Sequence, residues 1–129
     1  MKLLVTGGAG FIGSNFAHYW LNEHKRDEII DIDKFTYAAN KDNLRGLPED
    51  RHTLIIGDIA DQELVNKLVK SVDVVVNFAA ESHVDNSISN SEPFIHSNIV
   101  GVHALLEAVR KYEKRFHQIS TDEVYGSCH

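Results

Sequence analysis

Two adjacent carboxylates near the end of the sequence are its strongest candidates for chemistry. Asp122 and Glu123 follow a strand-like segment, and Thr121 places a hydroxyl beside them. Two carboxyl groups whose pKa values are separated can act together as general acid and general base, which the elimination of water from neighbouring carbons requires. Adjacent side chains of a regular strand point to opposite faces, so both acids can serve one substrate only if the chain turns, as Gly126 permits. The alternative is an acidic N-cap pair that begins a helix.

The glycine-rich stretch 5–13, VTGGAGFIG, is a second candidate site. Gly8, Gly10 and Gly13 fit the pattern G-x-G-x-x-G, and Gly7, Gly10 and Gly13 fit the wider pattern G-x-x-G-x-x-G. An apolar run precedes the glycines and a helical pattern comes after them. A strand, a glycine turn and a helix N-terminus together form a seat for a pyrophosphate. The glycine pattern alone is weak, and residues further along the chain make it specific.

Asp33 lies twenty residues after Gly13, at the end of a second strand-like segment. An acid at this distance reaches the adenosine ribose hydroxyls of NAD, and it repels the 2′-phosphate of NADP. The alternative is that Asp33 only ends a strand. Asp31 adds negative charge without an evident ligand. Asp58 and Ile59 follow the third strand and could flank the adenine, one by a hydrogen bond and one by packing, although Asp58 also suits a turn.

Small residues follow the fourth strand-like segment. Ala79 and Ala80 come directly after Phe78, where a flat ligand could lie across the ends of the strands. His83 is nearby, but the eight histidines show no His-x-x-x-His or Cys/His spacing, so we expect no metal site.

Strand-like and helix-like segments alternate along the chain. The strands are predicted at 2–6, 28–33, 53–56, 73–78 and 115–120, and the helices at 11–23, after an Asp61 N-cap, and at 94–112. Such alternation predicts an α/β fold with a doubly wound parallel sheet of about five strands. The 34–52 connection is long for a plain loop, and within it we expect a helical turn at 41–44 and exposed chain at 46–49.

Helical spacing also predicts which side chains face the core. In the first helix these are Phe16, Tyr19, Trp20 and Ile12; in the second, Leu64, Val65, Leu68 and Val69; in the third, Ile99, Val102, Leu105, Leu106 and Val109.

Composition limits the partners and the compartment. The 129 residues predict one domain or less, and the net charge of −6, without a basic stripe, argues against nucleic acid and anionic membrane as partners. The one cysteine, Cys128, rules out an internal disulfide and fits a reducing cytoplasm. No apolar run is long enough for a membrane span. We therefore expect a cytoplasmic protein.

Six motifs in register carry a resemblance to a known family. They are TGGAGFIGSNF, DKFTYAAN, GDI, NFAAESHVD, SNIVG and STDEVYG. In this order and spacing they resemble the dTDP-glucose 4,6-dehydratases, nucleotide-sugar enzymes of the extended short-chain dehydrogenase/reductase superfamily with a Rossmann-type fold. The Thr-Asp-Glu triplet favours this family, because related epimerases and GDP-mannose dehydratases are expected to differ at Asp122.

The resemblance implies a redox-neutral dehydration with tightly held NAD. The cofactor takes hydride from sugar C4, Glu123 removes the acidified C5 proton, and Asp122 protonates the departing C6 hydroxyl. Hydride then returns to C6, and Thr121 bonds the sugar near O4. Rhamnose biosynthesis is an expected setting for such an enzyme.

The same resemblance assigns the binding residues. It implies that the pyrophosphate and adenosine contact Gly7, Gly10, Phe11, Ile12, Gly13, Asp33, Lys34, Phe35, Thr36, Asp58 and Ile59. The nicotinamide side would be lined by Phe78, Ala79, Ala80, Glu81, Ser82 and Ser97, with Ser82 also near the sugar.

The chain departs from the family pattern at three points. Asn86 stands where an arginine is usual, and Ser97 where a threonine is usual. The superfamily's Tyr-x-x-x-Lys pair is expected downstream of Gly126, and Tyr112 and Tyr125 have no lysine four residues on.

The third departure defines the expected domain. We expect residues 1–129 to be the N-terminal NAD-binding portion, truncated before the substrate-binding domain, and to bind NAD without turnover; the full-length protein would be a homodimer. The alternatives are a UDP-glucose 4,6-dehydratase, a sugar 4-epimerase and a non-catalytic dinucleotide-binding module. No residue here distinguishes dTDP from UDP.

Overall fold

A five-stranded parallel sheet forms the centre of the structure, a computed structural model that describes residues 1–34, 41–78 and 96–119, with backbone alone at 41 and 96–98. The strands are β1 (Lys2–Thr6), β2 (Glu28–Asp33), β3 (His52–Ile56), β4 (Val74–Asn77) and β5 (Arg115–Gln118). They are ordered β3-β2-β1-β4-β5, and every pairing is parallel. The strand order reverses between β1 and β4, as in doubly wound sheets. The predicted fold class is confirmed.

Three α-helices accompany the sheet in the described ranges: α1 (Phe11–Glu23), α2 (Gln62–Lys70) and α3 (Val102–Tyr112). The predicted cap of α2 is present, because the Asp61 carboxylate accepts a hydrogen bond of 3.3 Å from the Leu64 amide. The third helix begins later than predicted, since a π-helical segment (His96–Gly101) precedes it. None of the helices described is long and apolar enough to cross a bilayer.

Both faces of the sheet are covered, because alternate strand side chains point to opposite sides. One face packs on α2 and α3 through Leu4, Ile30, Ile32, Val65, Leu68, Val69, Val75, Leu105 and Ala108. The other packs on α1 through Leu3, Val5, Ala17, Leu21, Ile29 and Val76. Strands buried on both faces explain the nearly continuous apolar runs in the sequence.

The predicted inward faces of the helices were partly wrong. In α1 the stripe against the sheet consists of Gly13, Ser14, Ala17 and Leu21, so that small residues allow a close approach, while Tyr19 and Ile12 are exposed. Phe16 and Trp20 are half-buried, as the pattern indicated.

The third helical region shows a similar difference. In α3 the buried residues are Ala104, Leu105 and Ala108, and Leu106 is exposed. Ile99 is also exposed. It lies in the π-helical segment, where i→i+5 winding shifts each side chain around the axis relative to an α-helix.

The connection between β2 and β3 contains the predicted helical turn, a 3₁₀ helix at Lys41–Leu44. Gly46 and Glu49 are exposed as expected, but Leu47 is half-buried and packs on the α1-side core. The turn is therefore anchored to the sheet.

Asp27 ties the C-terminal end of α1 to the beginning of the sheet. Its carboxylate accepts hydrogen bonds from the Met1 ammonium (2.9 Å) and from the Trp20 indole (3.0 Å). Burial alone would raise the pKa of Asp27, but these two bonds outweigh burial and lower the pKa below its ordinary value of 3.8. The ionised carboxylate therefore stabilises the fold above pH 3.8, and this contribution is lost as the pH falls through the lowered pKa.

We expect Asp27→Asn to lower the free energy of unfolding by about 1 kcal/mol at neutral pH, because an uncharged amide binds both donors more weakly. The native protein loses this stabilisation as the pH falls, so the free energy of unfolding of the variant should decrease less between neutral and acidic pH. Urea unfolding followed by Trp20 fluorescence, at neutral and acidic pH, measures both effects. Glu49→Gln, at an exposed carboxylate, is the control. Equal unfolding free energies for Asp27→Asn and the native protein would contradict the assignment.

Candidate functional site

The carboxyl ends of β1 and β4 border the point where the strand order reverses. In an open α/β sheet, ligands bind in the crevice outside this point. The glycine-rich segment 7–10 follows β1, and Phe78 follows β4. The tertiary structure therefore brings two of the predicted binding segments to one edge of the sheet.

A tight turn connects β1 to α1. Gly7 has a φ of 73°, its amide donates to the Ile32 carbonyl (2.9 Å), and its carbonyl accepts from the Gly10 amide (3.1 Å). A positive φ of this size favours glycine. Gly13 lies against the same turn: a Cβ added there would lie 2.4 Å from the Gly7 carbonyl oxygen. The turn and the first turn of α1 are thus in direct contact.

Among the residues described, no side chain caps the N-terminus of α1. Gly10 is its N-cap and contributes no side-chain hydrogen bond, and the first turn contains no acidic residue. The first amides of a helix have no partner within the helix and carry its positive dipole end. Phe11 is 77% exposed and Ile12 is exposed beside it. An anion that binds these amides would displace no capping side chain of the described residues.

Asp33 lies directly on the glycine turn. It is only 7% exposed, and its Oδ2 accepts a hydrogen bond of 2.9 Å from the Ala9 amide. Residues 24 positions apart in the chain are thus joined at the edge of the sheet. The carboxylate is held beside the open end of α1.

Asn43 is a part of this arrangement that could not be identified from the sequence. Its side-chain amide donates to the Ala9 carbonyl (2.9 Å), and its own carbonyl lies 2.9 Å from His18 Nε2. The 3₁₀ turn therefore closes against the glycine turn and α1. The unusual length of the β2–β3 connection was the only signal in the sequence.

Lys34 and Asp58 meet beside Asp33, at the ends of β2 and β3. Lys34 Nζ lies 3.7 Å from Asp58 Oδ2, and Asp58 Oδ1 accepts from the Ala60 amide (2.9 Å). The second bond is the turn-forming role foreseen as the alternative for Asp58. Ile59 is 5% exposed and packs with Ile32 in the core, which leaves little of its side chain for a ligand.

The remaining predicted site residues are only partly described. Phe78 is half-buried and its ring lies 5.4 Å from that of Phe16. Ser97 falls in the π-helical segment, where the backbone alone is described. Outside the described residues lie Phe35, Thr36, Ala79, Ala80, Glu81, Ser82, His83, Asn86, Thr121, Asp122 and Glu123. In the part of the chain that is described, no cluster of three His, Cys, Asp or Glu side chains could hold a metal ion.

Curated proteins similar to this chain include dehydratases of nucleotide sugars. The dTDP-glucose 4,6-dehydratase of Mycobacterium tuberculosis is 55% identical over 126 residues, which are 98% of this chain and 38% of that protein. The low-salt glycan biosynthesis protein Agl12 of Haloferax volcanii is 53% identical over 131 residues, with 100% of this chain and 42% of that protein covered. The chain thus spans about two fifths of the length of these relatives.

A solved structure and a family model agree with these relatives. DesIV, a dTDP-glucose 4,6-dehydratase from Streptomyces venezuelae with NAD and TYD bound, superimposes with a TM-score of 0.93 at 43% identity, over 100% of this chain and 42% of that chain. The family model described as GDP-mannose 4,6 dehydratase matches residues 4–129. The glycine turn, the acid on it and the strand order thus occur in a chain that belongs to the GDP-mannose 4,6 dehydratase family.

Proposed function

We propose that the protein containing this chain is an NAD-dependent dTDP-glucose 4,6-dehydratase, a hydro-lyase that converts dTDP-glucose to dTDP-4-keto-6-deoxyglucose. The observation that carries the proposal is the hydrogen bond from the Ala9 amide to the Asp33 carboxylate, beside the N-terminus of α1, which no described side chain caps. This arrangement suits a dinucleotide, and the similarity to dTDP-glucose 4,6-dehydratases supplies the reaction class.

The described residues fit NAD in three respects. The open amides of Phe11 and Ile12 would bind the pyrophosphate, and the close contact of Gly13 with Gly7 keeps side chains out of the turn. Asp33 would accept hydrogen bonds from the ribose diol. The Lys34–Asp58 pair lies where the adenosine end would extend. Bound NAD would supply the acceptance and return of a hydride.

The Asp33 carboxylate is expected to set cofactor choice. Asp33→Asn should weaken NAD binding about 10- to 100-fold, because hydrogen bonds to a charged group contribute about 1.5–3 kcal/mol. Discrimination against NADP should also fall, since the carboxylate no longer repels its 2′-phosphate. Calorimetric titration with both cofactors measures the two effects. Asp42→Asn, an exposed carboxylate on the neighbouring 3₁₀ turn, is the control. Unchanged affinity for NAD would contradict the role of Asp33.

The remaining roles are proposed for residues that the resemblance identifies. Glu123 removes the proton at sugar C5, Asp122 donates a proton to the leaving C6 hydroxyl, and Thr121 holds the sugar near O4. Phe78–Ser82 and Ser97 line the nicotinamide side. An acid and a base of separated pKa are what this elimination requires.

The test is the product formed by the full-length protein from dTDP-glucose and, in parallel, from UDP-glucose. Mass spectrometry should detect loss of one water from dTDP-glucose. Water loss from UDP-glucose alone would identify a UDP-glucose dehydratase, and an isomer of unchanged mass would identify a 4-epimerase. NAD binding without any product would identify a non-catalytic binding module. Each of these three results would overturn the proposed substrate or reaction.

We also propose a cytoplasmic homodimer, with rhamnose biosynthesis as its setting and with neither nucleic acid nor membrane as a partner. Ile99, Val100 and Leu106 are exposed along the π-helical segment and α3. An apolar row of this kind supports a helix-mediated contact between two copies.

A further inference from the structure

A row of three polar side chains crosses β1, β4 and β5 at their carboxyl ends. The register pairs Thr6 with Asn77 and Asn77 with Gln118, so the three residues are neighbours on adjacent strands. The register partners two residues earlier point to the same face of the sheet and are apolar parts of the core against α2 and α3: Leu4, Val75 and Phe116. The side chains therefore change from apolar to polar at the edge where open α/β sheets bind ligands.

Hydrogen bonds join the three side chains in one direction. The Thr6 hydroxyl donates to Asn77 Oδ1, and Asn77 Nδ2 donates to Gln118 Oε1 at 2.8 Å. Gln118 Nε2 donates in turn to the Ile119 carbonyl at 3.1 Å. Because a carbonyl can only accept, this last bond orients both side-chain amides and makes the Thr6 hydroxyl a donor. The row therefore has one consistent set of donors and acceptors.

Stability alone does not explain polar side chains at these positions. Thr6 and Asn77 are 0% exposed, and the burial of a hydroxyl or an amide is costly unless it is hydrogen-bonded. Apolar side chains of similar size, as in the preceding row, would pair the same strands without that cost. A bonded polar network adds direction, because it specifies a single arrangement of its members.

The row lies immediately before three functional segments. Thr6 precedes the glycine turn, and Asn77 precedes Phe78 on the proposed nicotinamide side. On β5 the row is followed by Ile119 and then by the proposed catalytic residues at 121–123. The Thr6 carbonyl accepts from the Phe78 amide (2.9 Å), and the Asn77 carbonyl accepts from the Ile119 amide (3.1 Å). Side-chain and backbone bonds together therefore fix the relative positions of these strand ends.

We propose that Thr6, Asn77 and Gln118 are positioning residues, which hold the proposed acid and base after β5 in place relative to the NAD site after β1. The inference rests on the proposed function, since it concerns the same active site. Without these bonds the ends of β4 and β5 can shift, and a displacement of about 1 Å can cost about 100-fold in rate. NAD binding should change little, because the glycine turn keeps the bond from Gly7 to Ile32.

The test measures kcat, the KM for dTDP-glucose and the NAD affinity of the full-length protein and its variants. Asn77→Leu and Gln118→Met remove the hydrogen bonds but keep the approximate shape of each side chain. We expect kcat to fall about 10- to 100-fold in both variants, with KM and NAD affinity unchanged. Thr6→Val should lower kcat in the same way, whereas Thr6→Ser, which keeps the hydroxyl, should retain the native kcat. A purely structural role would lower Tm without this difference between kcat and KM.

His117→Met, at an exposed histidine one residue earlier on β5, is the matched control and should keep the native kcat. All assays are run below the Tm of each variant. Gln118→Met carries the test if Asn77→Leu does not fold, because Gln118 is exposed. Native kcat in the folded variants, or an equal fall in Thr6→Ser and Thr6→Val, would overturn this inference alone. A native protein that forms no product from dTDP-glucose would overturn the proposed function.

Discussion

Gly13→Ala is expected to abolish NAD binding and to destabilise the fold. The new Cβ would lie 2.4 Å from the Gly7 carbonyl oxygen and 3.0 Å from the Gly8 Cα, and both contacts are with backbone atoms that cannot rotate away. Either α1 moves from the sheet or the turn opens, at a cost of about 1–3 kcal/mol. A shift of about 1 Å at a binding loop can cost about 100-fold in function. We expect NAD affinity to fall by at least this factor.

Thermal unfolding with and without NAD measures both parts of this prediction, because a ligand that binds only the folded state raises Tm. Gly46→Ala is the matched control, since Gly46 has a φ of 90° with no atom within 4 Å of the added Cβ. It should lose stability through backbone strain of order 1 kcal/mol and keep its NAD affinity. Equal losses of affinity in the two variants would mean that Gly13→Ala acts through general destabilisation.

Asp122→Asn is expected to lower turnover of the full-length enzyme about 10²- to 10⁴-fold, the usual contribution of a positioned general acid. The leaving C6 hydroxyl would then depart without a proton donor. The proposed base, Glu123, is left in place, so exchange of the sugar C5 proton with deuterium from the solvent should continue. Glu123→Gln should lose both the exchange and the product.

Deuterium incorporation and water loss, followed by mass spectrometry in one reaction, separate the two carboxylates. NAD affinity, measured in parallel, should be unchanged in both variants. Asp122→Asn with native turnover would exclude Asp122 as the acid. Glu123→Gln with native C5 exchange would assign the base to another residue.

Local sequence signals were sufficient for most of the fold. The strand-like segments at 2–6 and 28–33 became β1 and β2 with the predicted bounds, and the Asp61 cap begins α2. These signals depend on neighbours along the chain, which is why they could be read without a tertiary structure. Which face of a helix packs on the sheet is harder to predict from the sequence. Tyr19 was assigned inward from helical spacing, yet the close approach of α1 to the sheet is made by Gly13 and Ala17.

The candidate site also has one part that the sequence predicted and another part that it could not predict. Glycine spacing and the distance to Asp33 were sufficient to predict a dinucleotide seat, because a strand–turn–helix unit builds most of it from consecutive residues. Asn43 on Ala9 and His52 beside Asp31 could not be predicted. Each of these contacts joins segments at least 21 residues apart, and each depends on the path of a connection or on the register of two strands.

The sequence by itself therefore determined the order of the elements, the parallel sheet and the glycine turn with its acid, since local periodicity and spacing encode all three. Only the tertiary structure decided what lies beneath that turn. Parallel pairing of β2 with β3 brings His52 diagonally across from Asp31, and the path of the turn sets Gly8 on the second carboxyl oxygen. The spacing of residues in the sequence does not predict that contact, because it forms where three separate segments meet.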